Sequence, residues 1–343
     1  MNGLDELLPP DVLAFLRGCI TAEFATVSAA GLPIDTPTFV FPAQNLTTLD
    51  IGTGLAYPAK ADRARHNPKV GLLLEGTADQ PVISIAGYAA VRDADIQANL
   101  ERYLAETIFM PNVDPEIVPW DHTCGRLYYL ARIIVSVASC HIRWWDSRAA
   151  MDEPPHEWRA PVNAQFPQSD PAPPGQPTKA PQWPQASWQV RAAAAMESGL
   201  PGHMTLLDNE GFPIPVRVAN IRRREEGFEF VVPEAAPWSE GSATLSFAGK
   251  EVFVGEVRRD GAIHILDVAR ALPVLPTVDD RSGSNHEAIA QLDARLAAEL
   301  VRRGLATPVP PCHPPAPTEG ALLRMAASRA VHTEKVGAGI SAD

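Results

Sequence analysis

Two segments far apart in the chain carry one pattern. AEFATVSAAGLPIDTPTFVF (residues 22–41) and GHMTLLDNEGFPIPVRVANI (residues 202–221) each read as a strand, a Gly-x-Pro-Ile turn and a second strand. ISIAGYAAVRDAD (residues 83–95) is likewise echoed by VFVGEVRRDGAIHILDV (residues 252–268). Either two hairpins are alike by chance, or one supersecondary unit is built twice and two similar barrels lie side by side. Between the copies, from Met151 to Gln185, the composition turns to proline, glutamine, alanine and serine. PAPPGQPTKAPQWPQ forms no packed core and reads as an extended linker or surface strap. The expected organisation is therefore a barrel over residues 1–150, a Pro-rich linker over 151–186, a second, degenerate barrel over 187–280, and a C-terminal helix and tail over 281–343.

The element order supports that division. LPPDVLAFLRG predicts a short helix, with Pro10 at its start and Gly18 past its end. Strands are expected in AEFATVSA, DTPTFVFP and LTTLDIGT; in the last, Leu49, Ile51 and Thr53 alternate with Thr48, Asp50 and Gly52. KADRARHNP predicts a short helix stopped by Pro68, followed by the strands KVGLLLEG and VISIAGYAAV. ADIQANLERYLAETIF puts Ile96, Leu100, Leu104 and Ile108 on one helical face. RLYYLARIIVSVASCHIRWW predicts a long closing strand on which Trp144 and Trp145 point to opposite faces. Hairpins broken by few helices define an α+β fold of tandem antiparallel split β-barrels with peripheral helices. A last helix is expected in SNHEAIAQLDARLAAELVRRG, with Ser284 and Glu287 as a capping box and Ile289, Leu292, Leu296 and Leu300 as its apolar stripe. The residues beyond TPVPPCHPPAP are expected to be mobile or to wrap a neighbour.

With 343 residues the chain is long enough for two cores. Its net charge of -12 argues against a nucleic-acid partner, which requires a concentrated basic face, and against an anionic membrane surface. No apolar run approaches the length of a membrane span, and the acidic, proline-broken N-terminus does not read as a signal peptide. Cys19, Cys124, Cys140 and Cys312 are scattered without a CxxC, so a reducing cytoplasm is expected. His122 beside Cys124, and Cys140 beside His141, match no metal-ligand spacing, and no metal site is expected. His122 is the weak catalytic candidate, as a proton donor from a loop after the long helix. No carboxylate pair, Ser-His-Asp arrangement or nucleophilic cysteine is identifiable, which suits chemistry carried by a cofactor.

The most distinctive stretch is TGLAYPAKADRARHNP (residues 53–68): threonine, turn, lysine, short helix, Asn-Pro. A lysine at a helix start is mildly unfavourable beside the positive end of the helix unless an anion is near. Its counterpart in the second copy, VVPEAAPWSEG, has no lysine.

Over residues 11–145 the chain resembles the flavin-binding split barrels related to pyridoxamine 5'-phosphate oxidase. ATVSAAGLPIDTPTFVF, LTTLDIGTGLAYPAKADRARHNPKVGLLLEG and VISIAGYAAVRDAD carry the resemblance. It implies FMN between two barrels, with Pro37, Thr38, Phe39, Val40 and Phe41 along the isoalloxazine edge. It further implies Thr53 and Lys60 on the phosphate, with Arg65 as a further contact. The facing barrel would come from the second half of the same chain, or two chains would assemble as a homodimer. HIRWWDSRAAMDEPPHEW departs from the oxidase's own C-terminal motif, so vitamin B6 oxidation is not implied. The implied function is FMN-dependent oxidation or reduction of a small molecule by hydride or electron transfer. Relatives with this barrel use FMN, deazaflavin or haem, and some bind no cofactor, so the alternatives are a deazaflavin-dependent reductase or a non-catalytic flavin- or haem-binding module.

Overall fold

The computed structural model describes residue 4 and residues 7–181, 183–238, 240–273 and 286–328. The helix α1 (Pro10–Gly18) starts at a proline, whose fixed φ and missing N–H suit a first turn. It feeds β1 (Thr21–Val27), which pairs antiparallel with β2 (Pro33–Pro42) across a turn where Gly31 takes φ +78°. Then come β3 (Leu49–Gly54), α2 (Ala59–His66), β4 (Lys69–Leu74) and β5 (Val82–Arg92). After α3 (Ile96–Thr107), α4 (Trp120–Cys124) and α5 (Leu127–Leu130), the long β6 (Arg132–Trp145) closes the barrel by pairing with both β5 and β3. The order around this barrel is β3-β2-β1-β4-β5-β6, and β7 (His156–Arg159) extends the sheet at β6.

The second barrel repeats the design. The helix α6 (Trp188–Glu197) leads into β8 (Gly202–Leu207), β9 (Pro213–Arg223), β10 (Gly227–Val231), β11 (Gly241–Phe247), β12 (Glu251–Asp260) and β13 (Ile263–Ala271). Its closed order, β10-β9-β8-β11-β12-β13, is that of the first barrel strand for strand. The agreement extends to irregularities. Pairing of β5 with β6 slips between Ala86 and Gly87, and pairing of β12 with β13 slips at the corresponding place, between Val254 and Gly255. A bulge conserved in position bends both sheets at one point. Gly211, the counterpart of Gly31, also has a positive φ, +81°. The duplication read from the sequence is therefore a duplication of structure.

What differs is between the strands. Where the first barrel has α2 between β3 and β4, the second has an irregular loop between β10 and β11. Where the first has α3, α4 and α5, the second has a tight turn at Gly261. The expected strand from Arg126 begins only at Arg132, because Leu127–Leu130 wind as α5 and bury Tyr128 and Leu130. The helix α7 (His286–Arg303) buries Leu292, Leu296 and Leu300 against the first barrel. Ser284, half of the expected capping box, lies outside the described residues. Residues 305–328 run back over α4 and α3, where Trp120 of α4 donates to the Pro311 carbonyl (2.9 Å) and Arg324 pairs with Glu106 of α3.

The barrels pack reciprocally: β4 lies on β9 and β11 on β2, while β1 meets β9 and β8 meets β2. Such exchange of equivalent surfaces is what a two-fold symmetric dimer does, here carried out inside one chain. Gly71 permits the closest approach, since a Cβ there would run into the Pro213 carbonyl oxygen. Trp144 and Trp145 face opposite ways as expected, Trp144 into the first core and Trp145 into the second. The Pro-rich segment is a strap. Asp170 accepts from the amides of Asp93 (2.9 Å) and Ala94 (3.0 Å), and Thr178 donates to Glu299 of α7 (2.6 Å).

Candidate functional site

The strand β2 pairs with β1 from Pro33 to Phe39, but with β3 only from Val40 to Pro42. On the side away from β1, residues 33–39 therefore have no hydrogen-bonded strand partner among the described residues, although β8, β9 and β11 of the second barrel pack nearby. An unpaired strand edge presents backbone groups for a ligand to use. Lys60, in the first turn of α2, reaches this edge and donates to the Pro37 carbonyl (3.2 Å). The residue before α2 is Pro58, and no side chain caps the helix start. Uncapped first-turn amides beside a lysine suit an anion, and to that extent the residues present fit a phosphate. Arg63, one helical turn on, donates to Thr26 (2.7 Å) and adds positive field.

The electrostatics around Lys60 are mixed. Burial, followed by the nearby Arg63, pulls its ammonium pKa down to about 8, against the pull of Asp35 and Glu23. Asp35 is fully buried, and burial followed by the Glu23 charge holds its carboxyl well above the usual range. Glu23 and Asp35 lie diagonally across the β1–β2 pair, on one face, as close neighbours. His203 of β8 closes the group. Its Nδ1 is 3.2 Å from Glu23 and its Nε2 is 2.8 Å from Glu75, the residue after β4. Burial opposes the charge on His203, yet these two carboxylates outweigh it and lift its pKa to about 10. Arg217 of β9 also binds Glu75 (2.8 Å), so Glu75 bridges to two cations of the second barrel.

The residues singled out in the sequence are placed unequally. Pro37 and Lys60 are brought together; Thr38 and Phe39 are half-buried along the open edge. Val40 is in the core, and Phe41 is packed edge-to-face with Tyr103 beneath Arg102. Thr53 is buried, sharing the inner face of β3 with Leu49 and Ile51; no hydrogen bond joins it to Lys60. Arg65 points elsewhere. It pairs with Asp93 (2.7 Å) and donates to the Asp170 carbonyl, tying α2 to the strap. His122 is exposed on α4, in the region covered by Pro311.

Sequence reasoning missed Glu23, Asp35, Glu75, His203 and Arg217. One signal was present: aligning the two copies without gaps sets Glu23 against His203 and Asp35 against Pro215. Also missed was Arg132, buried beside the β3–α2 turn. Its guanidinium lies over Tyr103 (4.2 Å) and Tyr129 (4.0 Å) and donates to the Tyr57 (3.1 Å) and Tyr103 (3.2 Å) hydroxyls. Ring faces and phenol oxygens together take the place of a carboxylate partner.

The second barrel closes the equivalent edge differently. From the β10–β11 loop, Trp238 donates to the Ile214 carbonyl of β9 (2.8 Å) and is itself buried. The space there, between Pro215, Val216 and Ala235–Pro237 on one side and Leu73, Ser84 and Trp145 on the other, is about 10 Å³. A cleft of that size holds at most a water.

Two closed six-stranded antiparallel barrels, with helices between and around their strands, make this a tandem split-barrel protein of the α+β class. No family model matches the chain, and no curated protein matches it. Among solved structures it is similar to General Stress Protein 26 from Bacillus anthracis str. Sterne. That match has 17% identity and a TM-score of 0.30, and covers 44% of this chain and 96% of the other. It is also similar to a pyridoxamine 5'-phosphate oxidase-related, FMN binding protein from Nostoc punctiforme PCC 73102 (13% identity, TM-score 0.30, 40% and 84% covered). A third is the heme storage protein HutZ from Vibrio cholerae (15% identity, TM-score 0.28, 38% and 89% covered). No helix among the described residues is long and apolar enough to cross a membrane.

Proposed function

We propose that this chain binds FMN at the open edge of β2 and is an FMN-dependent oxidoreductase acting on a small molecule. The observation that carries the reading is the Lys60 ammonium at an uncapped helix start, in contact with an unpaired strand edge. In this reading Lys60 and the first-turn amides of α2 hold the phosphate, and Arg63 strengthens the positive field around it. The phosphate adds a charged partner to a desolvated ammonium that otherwise donates to the Pro37 carbonyl. Thr53 marks the end of β3 from which the phosphate turn departs. Pro37, Thr38 and Phe39 offer backbone groups to the polar edge of the ring, while Val40 and Phe41 hold the strand in the core. When bound, the flavin supplies hydride or electron transfer, and the chain supplies orientation and a dry wall. The second barrel is the facing partner. Four cysteines free of disulfides fit a reducing, cytoplasmic setting.

The test is the absorbance spectrum of the purified protein, followed by titration with FMN. Flavin bands, or saturable uptake of FMN, are expected. Lys60→Ala should weaken FMN binding about tenfold or more, the loss of one charge-assisted contact, without lowering the melting temperature. A Soret band would replace flavin by haem. Preference for a deazaflavin over FMN would replace the cofactor, and unchanged affinity in Lys60→Ala would refute the phosphate assignment.

A further inference from the structure

The packing of the two barrels is reciprocal in backbone and one-sided in charge. The pairing registers make Glu23 of β1 and His203 of β8 equivalent positions, since Glu23 lies opposite Pro37 and His203 opposite Arg217. They nevertheless touch each other, at 3.2 Å, so each sits where the pseudo-two-fold relation brings a residue against its own counterpart. In a pair of identical barrels such a position would meet itself. Here it is an acid facing a base.

The neighbouring contact is split in the same way. Glu75, following β4, binds both His203 and Arg217 of the second barrel. By register, the counterpart of Arg217 is Pro37, and that of Glu75 is Ala248. The mirror-image contact is therefore apolar: a Cβ on the adjacent Gly249 would collide with the Pro37 ring. Arg148 adds a further cation 3.9 Å from Glu75, on the side of the first barrel.

We propose that these divergent counterparts, Glu23 against His203 and Glu75–Arg217 against Ala248–Pro37, make the first barrel select the second barrel of its own chain as partner and reject a like barrel of another copy. Two first barrels would bring Glu23 against Glu23 and set Glu75 against Pro37, leaving two Glu23 carboxylates facing each other and Glu75 with only the more distant Arg148 of its own barrel. Two second barrels would bring His203 against His203, with Arg217 against Ala248. A buried charge stripped of its partner is strongly unfavourable, so both like pairings are excluded by repulsion and desolvation together. The strap favours pairing within the chain. It is fixed on the first barrel through Asp170 and on α7 through Thr178 and Glu299, and Arg159 of β7 reaches Glu210 of the second barrel (3.2 Å). The inference concerns assembly and holds whichever cofactor the open edge takes.

Light scattering on the full chain over a range of concentrations, combined with a double-mutant cycle, tests it. The expected mass is that of one chain. His203→Glu, which imitates the like pairing, should lower the melting temperature by about 5–15 °C. Glu23→Gln and His203→Gln should each lower it too, and the double variant should lose clearly less than the sum of the two. If His203→Glu gives no folded protein, the three neutral variants still measure the coupling. A wild-type mass of two chains, or additive losses in the cycle, would overturn the proposal.

Discussion

The two barrels share a strand order, a bulge and a turn glycine, yet treat one feature in opposite ways. In the first, the free edge of β2 is met by a flexible lysine from a helix start. In the second, the equivalent edge of β9 is stoppered by the indole of Trp238 from an irregular loop. A barrel is held by pairing and by its interior, so those had to survive in both copies. Whether an edge is left for a ligand depends on a few residues between strands, and those diverged. The comparison supports the proposal that the ligand belongs to the first barrel, while the second closes the seam and supplies His203 and Arg217.

The largest effect should come from removing the stopper. Trp238→Ala deletes a buried indole and its hydrogen bond, with an expected loss of about 3–5 kcal/mol in denaturant unfolding. It should not create a second cofactor site, because no lysine or helix start stands behind the opened edge. A variant that gained a second equivalent of FMN would break the comparison.

Next in size is a pH dependence belonging to the seam. The folded-state pKa of His203, about 10, is above its unfolded value of about 6.5. Its contribution is therefore complete below about pH 6.5 and is lost progressively as pH rises toward 10. Lys60 is shifted the other way, from 10.5 to about 8, so it offsets the loss above pH 8. Between pH 6.5 and 8 the His203 share should fall by about 2 kcal/mol. Denaturant unfolding across that window should show a clearly steeper decline in the wild type than in His203→Gln, where only the raised Asp35 carboxyl still loses stability with rising pH. A decline of equal size in the variant would place its origin outside His203.

The smallest effect sharpens the account of α2. Arg65 lies only five residues from Lys60 but is bound to Asp93 and the strap. Arg65→Ala should change FMN affinity less than twofold, while exposing the strap around residues 161–170 to proteolysis. A tenfold loss of affinity with an intact strap would return Arg65 to the phosphate site.

Much of this was legible in the sequence, because alternation and turn chemistry act locally. The strands around Gly31 and Gly211, the stripe of α7 and the opposed tryptophans followed from period and spacing. The absence of a lysine in the second copy already marked the two sites as unequal. The charged seam was not legible, for a physical reason. Glu23 and Asp35 sit in strands that also fit an ordinary half-exposed hairpin, and their burial and their cation partner come from tertiary packing. Their partner His203 is 180 positions from Glu23, and nothing local marks it as a cation. Arg65 was misleading for a different reason: the resemblance offers it as a phosphate contact, but five residues on from Lys60 it lies on another side of the helix, bound to Asp93. Leu127–Leu130 read as strand because their apolar content is high, whereas in the fold they pack as a helical turn against α7, α3 and β3.

The central claim is the division of labour between two barrels of one design. The stoichiometry of FMN binding to the full chain, from equilibrium titration followed by absorbance, tests it most directly. The account predicts one FMN per chain, weakened by Lys60→Ala and unaffected by Trp238→Ala. No binding, or two equivalents per chain, would contradict it.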